Sequence, residues 1–205
     1  MGRYVAFDLD GTLVDSIDGV ADCINYVLER YGYGRLGREE LKKAIGVKSL
    51  DEVFSNVRER DEMIGLYRSE YGRRFYKRVR EFPGVREALS YLKDKGYGVA
   101  VVTLKPQELA LKVLDYVGIR GLVDWVLGWG VIKAKEAEEV LRRLRELDPD
   151  AEVVAYVGDK WKDMEVGRRL GAKTIGVLYG LGSAEELEGY ADHLIESPYE
   201  LMNIL

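Results

Sequence analysis

The chain has 205 residues, 31 Lys and Arg against 36 Asp and Glu, a formal net charge of -5, and 47% hydrophobic residues. That length supports one large domain or two small ones around a sizeable core, and the acidic balance argues against a nucleic-acid partner. Cys23, the lone cysteine, excludes a disulfide framework and a Cys-based zinc site, while His193, the lone histidine, leaves no His pair for a metal. The longest apolar stretches, such as 98–102, are far too short to span a bilayer, and no signal peptide is expected ahead of the first strand. A soluble cytoplasmic protein with no membrane partner is the expectation. Charged residues make up 33% of the chain, with Gln107 the one glutamine and Asn25, Asn56 and Asn203 the asparagines. Such a composition is expected of a heat-adapted protein.

In chain order, the first predicted strand is Tyr4–Leu9, short and apolar. The next region, from about Asp15 to Glu81, has no strand pattern. Ile17, Val20, Ala21, Ile24, Val27, Leu28 and Tyr31 form an amphipathic stripe ended by Gly32 and Gly34. Leu41, Ala44 and Ile45, then Ile64, Tyr67 and Tyr71, continue helical patterns. Phe82-Pro83-Gly84 punctuates the chain. Strands are then predicted at Gly98–Thr103, Val153–Val157, Thr174–Val177 and His193–Ile195. Helical patterns lie between them, carried by Val85, Ala88, Leu89 and Leu92, by Leu109, Ala110, Val113, Leu114 and Val117, and by Val140, Leu141, Leu144 and Leu147. Strand-helix alternation implies a doubly wound, Rossmann-like parallel sheet covered on both faces, an α/β core. The expected division is a core of 1–14 and 82–205 with an all-helical insert, 15–81.

Chemistry concentrates at predicted strand ends. Asp8-Leu9-Asp10-Gly11-Thr12 places two carboxylates at the carboxyl end of a buried strand, where they are costly unless a cation binds. Open α/β sheets bind ligands at those ends. The second strand ends in Thr103, and the third in Gly158-Asp159 with Asp163 four residues on. Lys133 and Lys135 precede the helix of Val140. Acids, a hydroxyl and a lysine converging on one sheet edge point to a hard cation and a phosphate, with Asp8, Asp10 and Asp159 offering oxygen ligands.

These motifs, Asp8-x-Asp10-Gly11-Thr12, Thr103, a lysine and Gly158-Asp159-x-x-x-Asp163, resemble the haloacid dehalogenase superfamily of phosphatases, in its phosphoglycolate-phosphatase-like branch with a helical cap. The resemblance implies that Asp8 is the nucleophile that forms an aspartyl-phosphate, and that Asp10 is the general acid and then the base. It implies that Thr103 and the neighbouring Leu104 backbone hold phosphoryl oxygens, and that a lysine balances charge. Mg²⁺ is the implied cofactor, bridging Asp8, the Asp10 backbone carbonyl and Asp159, with Asp163 assisting. The 45–50 turn resembles the cap loop that reaches over the site, which makes Lys48 and Ser49 candidates for the leaving group. The implied substrate is a small phosphorylated metabolite, phosphoglycolate-like or a sugar phosphate, handled by a monomer or homodimer.

The chain departs from the family habit in having Leu104 where Asn is frequent and Lys160 where a small hydroxyl residue is frequent. Lys133 follows the apolar Val131-Ile132 pair and is preferred as the catalytic lysine, because Lys135 has Glu138 and Glu139 within one helical turn. Lys105 reads as a solvated loop lysine. The Arg68, Arg73, Arg74, Lys77, Arg78 and Arg80 cluster reads as a solvated helix face in preference to an anion-attracting one. The alternatives to a phosphatase are a phosphosugar mutase of the same superfamily and a receiver-like phosphate-binding module.

Overall fold

The computed structural model describes residues 2–45 and 48–205. The sequence-predicted turn at 45–50 therefore lies partly outside the described residues. A six-stranded sheet carries the core, in the order β5-β4-β1-β6-β7-β8. Its strands are β1 (Arg3–Phe7), β4 (Gly98–Pro106), β5 (Trp125–Trp129), β6 (Glu152–Gly158), β7 (Lys173–Val177) and β8 (His193–Ile195). Every pair in it is parallel. β1 is central because it is buried on both faces. Val5 and Phe7 belong to one apolar cluster, and Tyr4 and Ala6 to the other. The chain builds outward from β1 through β4 to β5, then returns to β1's other side with β6, so the order reverses beside β1. Ligand crevices form at the carboxyl ends of strands at such a reversal.

Helices cover both faces. α5 (Val85–Asp94) and α6 (Gln107–Val117) bury their apolar stripes in the first cluster, and α7 (Ala137–Leu147) and α8 (Trp161–Arg169) line the second. β5 was not legible in the sequence. It is a five-residue segment interrupted by Gly128, and a Cβ on Gly128 would lie 2.7 Å from Gln107 Cα, so close packing demands glycine where a strand pattern wants a side chain.

Between β1 and α5 the described chain is helical: α1 (Ile17–Arg30), α2 (Arg38–Ala44), α3 (Leu50–Val53), α4 (Arg60–Arg73) and a 3-10 turn, Phe75–Arg78. The stripe of α1 packs on Met63, Ile64, Tyr67 and Tyr71 of α4, and Cys23 is buried among them. This insert is joined to the core by a two-stranded antiparallel ladder, β2 (Val14–Asp15) with β3 (Arg80–Glu81). Two-residue strands give no periodic signal, so this junction was also not legible. Much of the basic cluster is committed locally. Arg73 and Arg74 pair with Glu70 at 3.0 and 2.7 Å, Arg78 pairs with Asp22, and the Arg74 guanidinium lies over the rings of Tyr26 and Phe75. His193 is exposed on the edge strand. No helix among the described residues is long and apolar enough to cross a membrane.

Candidate active site

β1 ends at Phe7, and the chain turns over 8–13 with the N–H groups of Leu13 and Val14 donating to the Leu9 carbonyl. Gly11 adopts φ +90, and a Cβ there would lie 2.4 Å from Asp159 Oδ2. Only glycine allows this left-handed turn to press against the β6 loop. Asp8 and Asp10 are thereby held at the sheet edge, both buried.

The structure gathers Asp8, Asp159 and Asp163 into one buried group whose ligand oxygens all lie within 4.8 Å of one another. The Lys135 ammonium donates to Asp8 Oδ1 at 2.6 Å and to Asp163 Oδ1 at 2.9 Å. Asp163 Oδ2 accepts the Lys160 N–H at 3.2 Å. Asp159 Oδ2 accepts the N–H groups of Leu181 and Gly182, at 2.7 and 3.2 Å. Two carboxylate oxygens in this group, Asp8 Oδ2 and Asp159 Oδ1, are buried with no hydrogen-bond partner. Burial drives the Asp8 carboxyl well above its ordinary range, with Asp163 and Asp159 adding repulsion and Lys135 opposing. The Asp159 carboxyl is pushed up to about 7, chiefly by burial and then by Asp163. Three buried acids with two unpartnered oxygens, one ammonium in contact and that of buried Lys160 acting on Asp159 from nearby, fit a hard divalent cation, which accepts oxygen ligands and relieves their repulsion. Asp8 and Asp159 would hold Mg²⁺ through those free oxygens, with Asp163 behind them.

The preference for Lys133 is corrected by this geometry. Val131 and Ile132 both donate their N–H to the Gly128 carbonyl, so the apolar pair forms a tight turn instead of a strand end. The turn buries Ile132 and leaves Lys133 exposed, its N–H on Glu139 Oε2. Lys135, two residues before α7, sends its side chain to the carboxylates.

Lys105 corrects a second expectation. Its side chain is 5% exposed, and its ammonium donates to both oxygens of Asp10 at 2.9 Å. β4 continues as a strand to Pro106, so Thr103 and Lys105 share a strand face, and period-two alternation carried through 106 would have found the lysine. Burial alone would depress the charged form of Lys105, but Asp10 more than offsets it and holds the ammonium's pKa up. Asp10 Oδ1 also accepts a hydrogen bond from the Ser16 hydroxyl. The Asp10 side chain thus stands apart from the acidic triad.

Asp8, Asp10 and Thr103 border a chamber of about 60 Å³ roofed by the helical insert through Val20, Ile24 and Tyr67. Thr103 is buried and its Oγ1 accepts the Lys105 N–H at 3.1 Å. Leu104 and Lys48 also line the chamber. Ser49 instead lines an outer cleft of about 370 Å³, beside Lys133 and Lys135. Its hydroxyl caps α3 in a reciprocal arrangement with Glu52, so it is engaged by its own helix rather than offered to a leaving group. The loop after β7 was legible only as a glycine-rich turn. A Cβ on Gly182 would lie 1.7 Å from the Asp159 carbonyl oxygen and one on Gly180 2.2 Å from the Gly11 carbonyl oxygen, so this loop is seated directly on the acidic group. Lys160 lies 3.7 Å from Glu186.

Residues 5–177 match the family described as haloacid dehalogenase-like hydrolase. The chain is 32% identical to a phosphoglycolate phosphatase of Aquifex aeolicus over 182 residues, 87% of this chain and 85% of that protein. It is likewise 32% identical to the pyrophosphatase PpaX of Bacillus velezensis over 205 residues, 98% and 94% of the two chains. Its fold superposes on that of a haloacid dehalogenase-like family hydrolase from Streptococcus pneumoniae with a TM-score of 0.86, at 22% identity, covering 100% of this chain and 98% of the other. With its strand-end acids, its buried lysine and its sheet order, the chain belongs to the haloacid dehalogenase-like hydrolase family.

Proposed function

We propose that the protein is a Mg²⁺-dependent phosphatase that hydrolyses a small phosphorylated metabolite through an aspartyl-phosphate on Asp8. The observation that carries this reading is the triad Asp8, Asp159 and Asp163 with its two unpartnered oxygens, Lys135 against the nucleophile, and Thr103 across the chamber. Asp8 attacks phosphorus as the bond to the leaving oxygen breaks, and needs no base once Lys135 and a bound cation together offset the burial that raises its carboxyl and hold it ionised. Asp10, on the chamber wall, gives a proton to the departing oxygen. It then takes one from the water that attacks phosphorus, which frees phosphate and regenerates Asp8. Thr103 Oγ1 and the backbone of Leu104 hold phosphoryl oxygens, and Lys135 offsets charge on the nucleophile and the transferring group. Bound Mg²⁺ supplies positive charge where negative charge would otherwise repel the incoming phosphoryl group.

The relatives named for phosphoglycolate and for pyrophosphate both act on compact anions. Lys48 at the border of the chamber, facing the acids across it, supports a small anionic leaving group, phosphoglycolate-like. The test is phosphate release from 2-phosphoglycolate, pyrophosphate and glucose 6-phosphate, with Mg²⁺ and with EDTA, alongside isomerisation of glucose 1-phosphate. Metal-dependent release fastest on a small anionic ester is expected. Isomerisation without net release would make the protein a mutase, and turnover undiminished by EDTA would remove the metal from the reading.

A further inference from the structure

The Asp10 carboxylate is fixed more firmly than a proton-transferring group at a strand-end loop requires. Its terminal torsion is intrinsically broad, yet three donor contacts from two separate parts of the chain hold it. The Lys105 ammonium lies 2.9 Å from each oxygen, and the Ser16 hydroxyl, just after the β2 junction, donates to Oδ1. On its far side the same ammonium lies over the ring of Tyr71, 4.7 Å from the centroid. Tyr71 belongs to α4 of the helical insert, stacks on Tyr67 with centroids 5.5 Å apart, and has a buried hydroxyl with no hydrogen-bond partner. The ring face lies over the Lys105 ammonium, and the hydroxyl is near enough to act on its charge. An aromatic face over a desolvated ammonium is attractive and excludes water. The backbone N–H of Lys105 meanwhile binds Thr103 Oγ1, which ties the residue to the phosphate side of the chamber.

We propose that Lys105 is the positioning residue for Asp10, fixing the aim of its carboxylate at the leaving-group oxygen and coupling that aim to the helical insert through the Tyr71 ring. The proposal builds on the assignment of Asp10 as the proton-transfer group. Lys105 lines the same chamber, but its ammonium is engaged by both oxygens of Asp10 and by Tyr71, so its assigned part is to hold Asp10 where the departing oxygen will be. A buried ion pair with a purely structural role would predict a different outcome on substitution: lost stability, and equal damage to every substrate.

The experiment compares first-turnover rates of the Mg²⁺-loaded full chain on 2-phosphoglycolate, whose alkoxide needs a proton, and on p-nitrophenyl phosphate, whose phenolate needs little. Lys105→Met should slow the alkyl ester by about 10²-fold and the aryl ester by only a few-fold, with KM for both nearly unchanged. In an Asp10→Asn background the same change should cost nothing further on the alkyl ester, since Lys105 acts through Asp10. Tyr71→Leu should reproduce part of the alkyl-specific loss, and Tyr71→Phe, which keeps the ring face, should lose less than Tyr71→Leu. These two variants keep the lysine and so remain informative if Lys105→Met folds poorly. Equal losses on both esters, or full additivity with Asp10→Asn, would overturn the proposal. A raised KM for 2-phosphoglycolate at unchanged kcat would instead make Lys105 a leaving-group contact. Should Asp10→Asn itself show no alkyl-specific loss, it is the acid assignment that fails, which this control reads separately.

Discussion

Beneath the chamber, behind a floor set by Asp8, three buried carboxylates, Asp8, Asp159 and Asp163, have the ammonium of Lys135 in contact with two of them, whereas on the facing wall Asp10 is matched by the ammonium of Lys105. The floor keeps two carboxylate oxygens without partners; both oxygens of Asp10 are partnered. Each region is built from the same residue types at strand ends of the same sheet. They differ in how many acids share a lysine. A deficit of positive charge marks the place for a cation, and a closed ion pair marks the place for orientation. The number of acids alone would not have separated the two.

The floor is where substitution should hurt activity most. Asp8→Asn removes the proposed nucleophile and should lower turnover by about 10⁴-fold or more while the fold persists; several percent of parent activity would move the nucleophile elsewhere. Lys135→Ala should follow, with a loss of about 10²- to 10³-fold, because the ammonium stabilises charge only within a water-poor site. Lys133→Ala, at the exposed rim, should stay within about twofold of the parent. The opposite ranking of these two lysines would mean that the floor's compensation is not what turnover needs.

Metal should separate floor from wall without any turnover. Mg²⁺ at about 100 times its Kd should stabilise the chain by about 2.7 kcal/mol, read as a raised Tm. Asp159→Asn should raise the Tm of the metal-free chain, since it relieves repulsion among buried acids, and should abolish the Mg²⁺ shift. A full Mg²⁺ response in that variant would remove Asp159 from the ligand set. Gly182→Ala should cost about 1–3 kcal/mol, because its Cβ would collide with the Asp159 carbonyl and unseat the two N–H donors that hold the carboxylate. The same variant should weaken Mg²⁺ binding. An unchanged Mg²⁺ response would show that the loop supports only the fold.

The floor was more legible in the sequence than the wall, for a physical reason. Asp8, Asp159 and Asp163 stand in short motifs at the ends of apolar strands, where a buried charge is conspicuous against its neighbours. Thr103 was visible in the same way. The wall depends on side chains that meet across long separations: Lys105 on Asp10, Tyr71 on Lys105, Ser16 on Asp10. Each looks ordinary where it stands, Lys105 as a loop lysine and Tyr71 as part of an aromatic stripe. Lys135 was ranked behind Lys133 because an apolar pair reads as a strand end when its backbone is hidden; the Gly128 turn reverses which residue faces in. The sheet and its helices followed from periodicity, while β5 and the β2–β3 junction carry too few residues to show a period.

The smallest expected effect concerns Ser49, where the sequence expected a leaving-group contact on the insert side of the chamber. The hydroxyl accepts the Glu52 N–H at 3.3 Å, and both it and the Ser49 N–H donate to Glu52 Oε2, at 3.0 and 2.7 Å. The Ser49 N–H draws the Glu52 carboxyl below its usual range. Two orphan donors at the start of α3 are satisfied by this exchange, so either partner's loss should open the same turn. Ser49→Ala and Glu52→Ala should therefore cost similar amounts, about 1 kcal/mol each. The double variant should cost scarcely more than either alone, because one reciprocal pair is being removed twice. KM for 2-phosphoglycolate should move equally in both, by whatever the frayed turn does to Lys48 beside it. A substrate contact would behave differently. It would raise KM in Ser49→Ala well beyond its value in Glu52→Ala, and Ser49 would then join the wall as a binding residue instead of a helix cap.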